Sequence, residues 1–218
     1  MQKMGEYPYL LLIHQRFPKN RRAALTDSEC ARALKTLNRS DLGSVVPITF
    51  EDLRLLENCT NRYIDEYLIP NLSTEGVNVI GFSLNFDQTY SSLYIEKYLR
   101  EKRPDLNLFF LYGGYRAGDP IGLEMLIRMG ATGYSVLGEG ERKLELILQQ
   151  LVNSAETSSH AIVMNIDGVV LPANGLRSFD RAASFLGSQI SKLENLPLPE
   201  YDEFFLSYDA ALIRHPFL

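Results

Sequence analysis

The sequence predicts an α/β protein. It reads as a Rossmann-like (flavodoxin-like), doubly wound, mainly parallel sheet of about five strands, with a β-hairpin and an extended C-terminal connector. Two observations carry this. Three short apolar runs each end in a loop of small residues: Val77 to Ser83, Leu108 to Gly114, and Gly133 to Val136 leading into Gly138-Glu139-Gly140-Glu141. Between them lie segments with helical spacing of apolar residues. Short buried strands alternating with helices imply parallel pairing through right-handed crossovers. In such sheets ligands bind outside the carboxyl ends of the strands.

The bulk composition narrows the class. A chain of 218 residues, 45% hydrophobic and 22% charged, has the make-up of an ordinary globular protein and can bury a substantial core. A net charge of −5 argues against a general nucleic-acid or acidic-membrane binder; a local basic patch such as Lys19-Asn20-Arg21-Arg22 reads as a solvated loop. The two cysteines, Cys30 and Cys59, form no CxxC, so no cysteine-rich metal or cluster site is expected. No apolar run approaches the roughly 20 residues of a membrane span, and the chain reads as a reduced, cytoplasmic protein.

Taken in order, Tyr7 to Ile13 is apolar and β-rich and is expected to be the first strand, leaving the sheet at His14 before Pro18. Thr26 or Asp27 caps a helix from Ser28 to Leu37. Val45 to Ile48 is at most an edge strand because of Pro47, and Phe50 to Leu72 is helical up to Pro70. Thr89 to Arg103 is a helix stopped by Pro104, and Pro120 to Met129 is a helix with proline in its first turn and Gly130 as its stop. A helix from Arg142 to Ser154 follows the glycine loop, with Glu139 and Glu141 suited to its electropositive start. Ala161 to Leu171 reads as a hairpin turning at Asp167-Gly168, and Leu193 to Asp202 as a proline-stiffened connector. The expected division is residues 1–155 as the α/β domain and 156–218 as hairpin and connector.

The candidate ligand site is the rim where the strand ends converge. Its residues are Ser83, Leu84, Asn85 and Thr89 on the first loop, Gly113, Gly114 and Tyr115 on the second, and Gly138, Glu139 and Gly140 on the third. Glycines let a ligand approach the backbone, and the hydroxyls and amide can hydrogen-bond it. No GxGxxG follows the first expected strand and no GxxxxGK[ST] is present, so neither the dinucleotide fingerprint nor a phosphate loop applies.

The order Ile80-Gly81-Phe82-Ser83 with Thr89, then strand and Gly113-Gly114, then strand and Gly138-Glu139-Gly140-Glu141, resembles the cobalamin-binding domain that precedes a radical S-adenosylmethionine core. Leu193 to Phe205 resembles the bridge in such enzymes, the likeness being nearest to those maturing ribosomally made peptides. It covers residues 77–205 well and the N-terminal third loosely. The resemblance implies a cobalamin held with its nucleotide tail against Ser83, Thr89, Gly113 and Gly114. The Gly138-Glu139-Gly140 loop closes the far side, and Tyr112, Tyr115 and Arg116 pack or block the corrin edge.

Two departures shape the expectation. There is no CxxxCxxC, so S-adenosylmethionine and its [4Fe–4S] cluster belong to a radical core elsewhere in a longer protein or on a partner chain. The DxHxxG of histidine-ligating cobalamin domains is absent as well: near His14, Leu12 stands at its Asp position and Phe17 at its Gly position. Cobalt ligation by the protein is therefore not expected. The leading expectation is a cobalamin-binding module, not catalytic alone, serving methyl transfer or related radical chemistry on a peptide or natural product. The alternative is a corrinoid-free relative that docks a precursor peptide or partner chain. A third reading, acid–base chemistry from Asp87, Glu139 or Glu141, is weaker because those carboxylates suit helix starts and surfaces.

Overall fold

The computed structural model describes residues 7–18, 25–39, 47–85, 88–153 and 166–171. Among them the elements run α1 (Tyr7–Arg16), α2 (Asp27–Arg39) and α3 (Phe50–Tyr63), a π-helical turn at Ile64–Leu68 and a 3-10 turn at Ile69–Asn71. Then come β1 (Asn78–Ser83), α4 (Thr89–Lys102), β2 (Leu108–Gly113), α5 (Tyr115–Gly118), α6 (Pro120–Met129), β3 (Tyr134–Val136), α7 (Glu141–Asn153) and β4 (Val169–Val170).

The sheet has the order β1-β2-β3-β4. β1, β2 and β3 are parallel, and β4 lies antiparallel to β3 with Ser135 opposite Val170. The α/β class with a mostly parallel sheet is as expected, but four strands are described instead of about five. The missing one is the first. Tyr7 to Ile13 is helical, with Leu11, Leu12 and Ile13 buried. A short apolar run has no decisive period, and here Pro8 sits in the first turn, where its missing N–H costs nothing. Pro47 to Thr49 likewise forms no strand but leads into α3, where Thr49 and Asp52 close a capping box. Thr26 and Glu29 do the same for α2.

Most later boundaries agree with expectation. α6 begins at Pro120 and ends on Gly130 in the left-handed conformation, φ 71°. The turn at Asp167-Gly168 is present, but β4 pairs with β3; the other expected arm, Ala161 to Asn165, lies outside the described residues, as do the connector and the basic cluster at 19–22. β4 belongs to the same sheet as β1 to β3, so this part of the C-terminal segment packs into the α/β unit.

Right-handed crossovers from β1 to β2 and from β2 to β3 put α4 and α6 on one face. That face carries Leu108, Phe110 and Tyr112 of β2 in a core with α1 and α4. The opposite face carries Phe109, Leu111, Tyr134 and Val136, covered by Ile147 and Leu151 of α7. Helices therefore lie on both faces of the sheet.

Two polar seams fix the first layer. Tyr94 donates to Asn61 (2.9 Å) and Tyr98 to Asp65 (2.9 Å), tying α4 to α3 and the π turn. Burial raises both phenols, Tyr98 to about 12 with the Asp65 hydrogen bond adding to it, and Tyr94 higher still with the Glu57 charge adding. Burial likewise lifts Tyr112 well above 10, with Glu96 beside it. The folded protein thus holds these protons more tightly than the unfolded chain. Stability is complete below about pH 10 and falls as pH rises toward the folded values, by up to about 1.4 kcal/mol per pH unit for each tyrosine. Urea midpoints measured across this alkaline range should drop steeply, and Tyr98→Phe should flatten the slope. A midpoint indifferent to alkali would contradict this account of the seams.

Candidate functional site

The rim residues are placed by the sheet's period of two. Val79, Gly81 and Ser83 of β1 stand beside Phe109, Leu111 and Gly113 of β2, all on the α7 face. α7 covers β2 and β3 on that face and leaves β1 open: Val79, Gly81 and Ser83 are all exposed. A side-chain carbon built at Gly81 or at Gly113 meets nothing within 4 Å. The result is a trough whose floor has no side chains at two of its positions.

One wall of the trough comes from α7. This helix leaves the carboxyl end of β3 and runs back along the sheet. Its buried line is Lys143, Ile147 and Leu151. Looking down a right-handed helix in that orientation, the next residues clockwise are Leu144 and Leu148, which turn toward β1. Both are large, apolar and 40% or more exposed. The trough is thus walled by leucines, floored by glycines and capped by polar groups at the strand ends.

Those caps are ordered by the first two loops packing together. Leu84 donates its N–H to Gly113 (2.7 Å), and Arg116 donates to the Leu84 carbonyl (2.9 Å). The Asn85 carboxamide donates to the Ser83 hydroxyl (3.0 Å) and accepts from the Tyr115 N–H (3.1 Å). Gly114 has φ 86°, and a side-chain carbon there would lie 2.8 Å from Asn85 Oδ1, so only glycine fits. On the third loop a side-chain carbon at Gly118 would be 3.6 Å from the Gly138 N–H nitrogen, which brings α5 against that loop. Lys143 reaches up to donate to the Glu139 carbonyl (2.8 Å); burial lowers its ammonium below the ordinary lysine value.

The three loops therefore meet as the sequence suggests, but not every named residue faces the opening. Ser83 and Gly113 do. Gly114 is exposed, with its α-carbon turned against Asn85. Leu84 is fully buried. Thr89 is 1% exposed inside the first turn of α4 and offers no rim hydroxyl. Tyr115 is exposed, whereas Tyr112 is fully buried on the opposite face, donating to the Glu96 carboxylate. Glu139 is exposed on the third loop and Gly140 is half-buried below it. Asp87 lies outside the described residues. His14 ends α1 and is exposed, away from β1's open face.

The sequence reading missed Leu144 and Leu148, which stand four apart just after the glycine loop and are flanked by the more deeply set Lys143, Ile147 and Leu151. It also missed the cluster beneath β2 in which Glu96, 1% exposed, accepts from Tyr112, from the Thr132 hydroxyl and from the Thr132 N–H (2.9 Å). Arg100 completes it at 3.4 Å. Among the described residues no group of three or more His, Cys, Asp or Glu is placed to hold a metal ion. None of their helices is long and apolar enough to cross a membrane.

No family model, curated protein or solved structure matches the chain.

Proposed function

We propose that the trough receives the flat, apolar base of a corrinoid's nucleotide tail, making this chain a cobalamin-binding module. The observation that supports the reading is the open strip of Gly81 and Gly113 beside Leu144 and Leu148. A planar aromatic base needs close approach to backbone on one side and apolar contact on the other, and this arrangement offers both. Ser83 supplies a hydroxyl at the carboxyl end of β1, and the Gly138-Glu139-Gly140 loop borders the same end of the sheet. The donor set fits a corrinoid held by its tail and periphery, not through cobalt: among the described residues no histidine stands in this region. A bound corrinoid would supply methyl transfer or one-electron cobalt chemistry. The residues of this chain bind and orient it, and the radical S-adenosylmethionine core with its cysteine-bound cluster is separate from these 218 residues.

The test is retention. After anaerobic incubation with hydroxocobalamin and desalting, the protein should keep close to one equivalent of corrinoid by visible absorption, with the spectral change that marks loss of the lower base. A colourless protein would refute the reading.

A second reading rests on the edge of β1. Its alternate N–H groups bond β2, as at Asn78 and Leu84, so those of Val79, Gly81 and Ser83 point outward. The strand carries no charge or proline to blunt that edge. Among the described residues no strand pairs there. An extended segment of a precursor peptide could add to it and lay alternate side chains in the trough. Peptide capture by corrinoid-free protein, blocked by proline at Gly81, would favour this reading.

A further inference from the structure

The turn before β4 reaches across to the third rim loop. Leu137, which joins β3 to that loop, donates its N–H to the Gly168 carbonyl (2.8 Å). Gly168 is buried, has φ 76° and lies against Lys143: a side-chain carbon there would stand 2.6 Å from Lys143 Cε. Ile166 and Val169, close on either side of it, are set in the core with Ile147 and Leu151 of α7. The turn therefore holds the root of the loop through Leu137 and bears on the stem of Lys143.

Lys143 carries that contact onward. It is 7% exposed, and among the described residues it is the only buried basic side chain. Burying an ammonium is costly unless its hydrogen bonds offset the lost water, and methionine would fill the same space without that cost. What the ammonium adds is its hydrogen bond to the Glu139 carbonyl (2.8 Å), in the middle of the loop. Gly138, at φ 69°, and Gly140 flank Glu139, so the loop has little stiffness of its own. It is steadied by α5 near Gly138 and by Lys143 beneath Glu139. We propose that Lys143 is a latch between the turn before β4 and the third rim loop, so that a shift of the turn releases the loop. That loop borders the mouth of the trough, and the chain runs on from β4 through Leu171 into residues 172–218. A load on the segment that follows thus reaches the mouth by this route, whatever the trough receives.

Hydrogen exchange resolved at single amides tests the latch. The Leu144 N–H, bonded to the Gly140 carbonyl (2.7 Å), reports the far end of the loop. The Leu84 N–H, bonded to the Gly113 carbonyl (2.7 Å), reports the first two loops. A methyl at Gly168 displaces the Lys143 stem, so Gly168→Ala should speed exchange at Leu144 at least tenfold and leave Leu84 unchanged. In a Lys143→Ala background, where the stem is gone, the same substitution should change Leu144 no further. Should Gly168→Ala fail to fold, Lys143→Met should speed both Leu144 and the turn's Val169 N–H, which bonds the Ile166 carbonyl (3.0 Å). Leu144 exchange indifferent to these substitutions would overturn the proposal. So would equal acceleration by Gly168→Ala with and without Lys143, or an equal rise at Leu84, which would mean that the fold opens as one unit.

Discussion

Alanine at Gly122 is expected to unfold the α5–α6 corner. Gly122 is a helical residue in the first turn of α6, where alanine would ordinarily stabilise by about 1 kcal/mol. Here a side-chain carbon would stand 1.9 Å from the Arg116 carbonyl oxygen and 2.8 Å from its carbon. That is backbone, not the movable end of a side chain. α6 must lift off α5, losing the Asp119 cap on the Gly122 N–H (3.3 Å) and the Arg116–Asp119 pair (3.2 Å). Overpacking against fixed backbone, with a lost cap, costs about 3–5 kcal/mol, a large share of a stability of roughly 5–15 kcal/mol. Because propensity and packing predict opposite signs, the urea midpoint of Gly122→Ala decides between them directly. A midpoint at or above wild type would show that the corner is not packed as described.

The second large effect is expected at Glu96. Its carboxylate, carried on α4, ties that helix to β2 and to the turn before β3. Glu96→Ala leaves the buried Tyr112 hydroxyl and the Thr132 N–H without an acceptor. A buried donor left this way costs about 1–3 kcal/mol and the exposed Thr132 regains water in part, so the loss should be about 2 kcal/mol. Arg100 is a third exposed and regains water, so its separation from Glu96 adds little. Glu96→Gln keeps an acceptor for Thr132 and a polar partner for Tyr112, and should lose only about 1 kcal/mol. Equal losses for Ala and Gln would mean that charge, not hydrogen bonding, holds the cluster. Tyr112→Phe in the Glu96→Ala background should cost little further, because the two act as one unit.

The legible parts of this protein are those with local causes. Strand ends marked by glycine, the proline that opens α6, the left-handed stop at Gly130 and the capping residues Thr26 and Thr49 all act within a few residues. They place most elements from Val77 to Asn153. Tyr7 to Ile13 is too short and too uniformly apolar for its period to speak, and burial against α4 decides its helical form. Nearness to Gly113 in sequence suggests the rim for Tyr112, although a strand turns adjacent residues to opposite faces. Alternation applied strictly would have paired Gly113 with Phe109 and Leu111 and sent Tyr112 to the other side. Thr89 misled because a helix start next to a rim need not face it. Glu96 could have been suspected from a carboxylate set among Leu93, Tyr98 and Leu99, but its partners Tyr112 and Thr132 are far off in sequence. The trough itself needed the fold, since its floor and wall come from β1, β2 and α7.

The central claim is that the glycine-floored trough holds the corrinoid tail. The most direct test compares wild type with Gly113→Val by hydroxocobalamin titration, alongside urea unfolding of both. Nothing lies within 4 Å of a side-chain carbon at Gly113, so valine should leave the fold intact while filling the trough. The account predicts near-stoichiometric binding by wild type and at least tenfold weaker binding by Gly113→Val, with matching urea midpoints. Equal binding by the two proteins, or none by wild type, would contradict it.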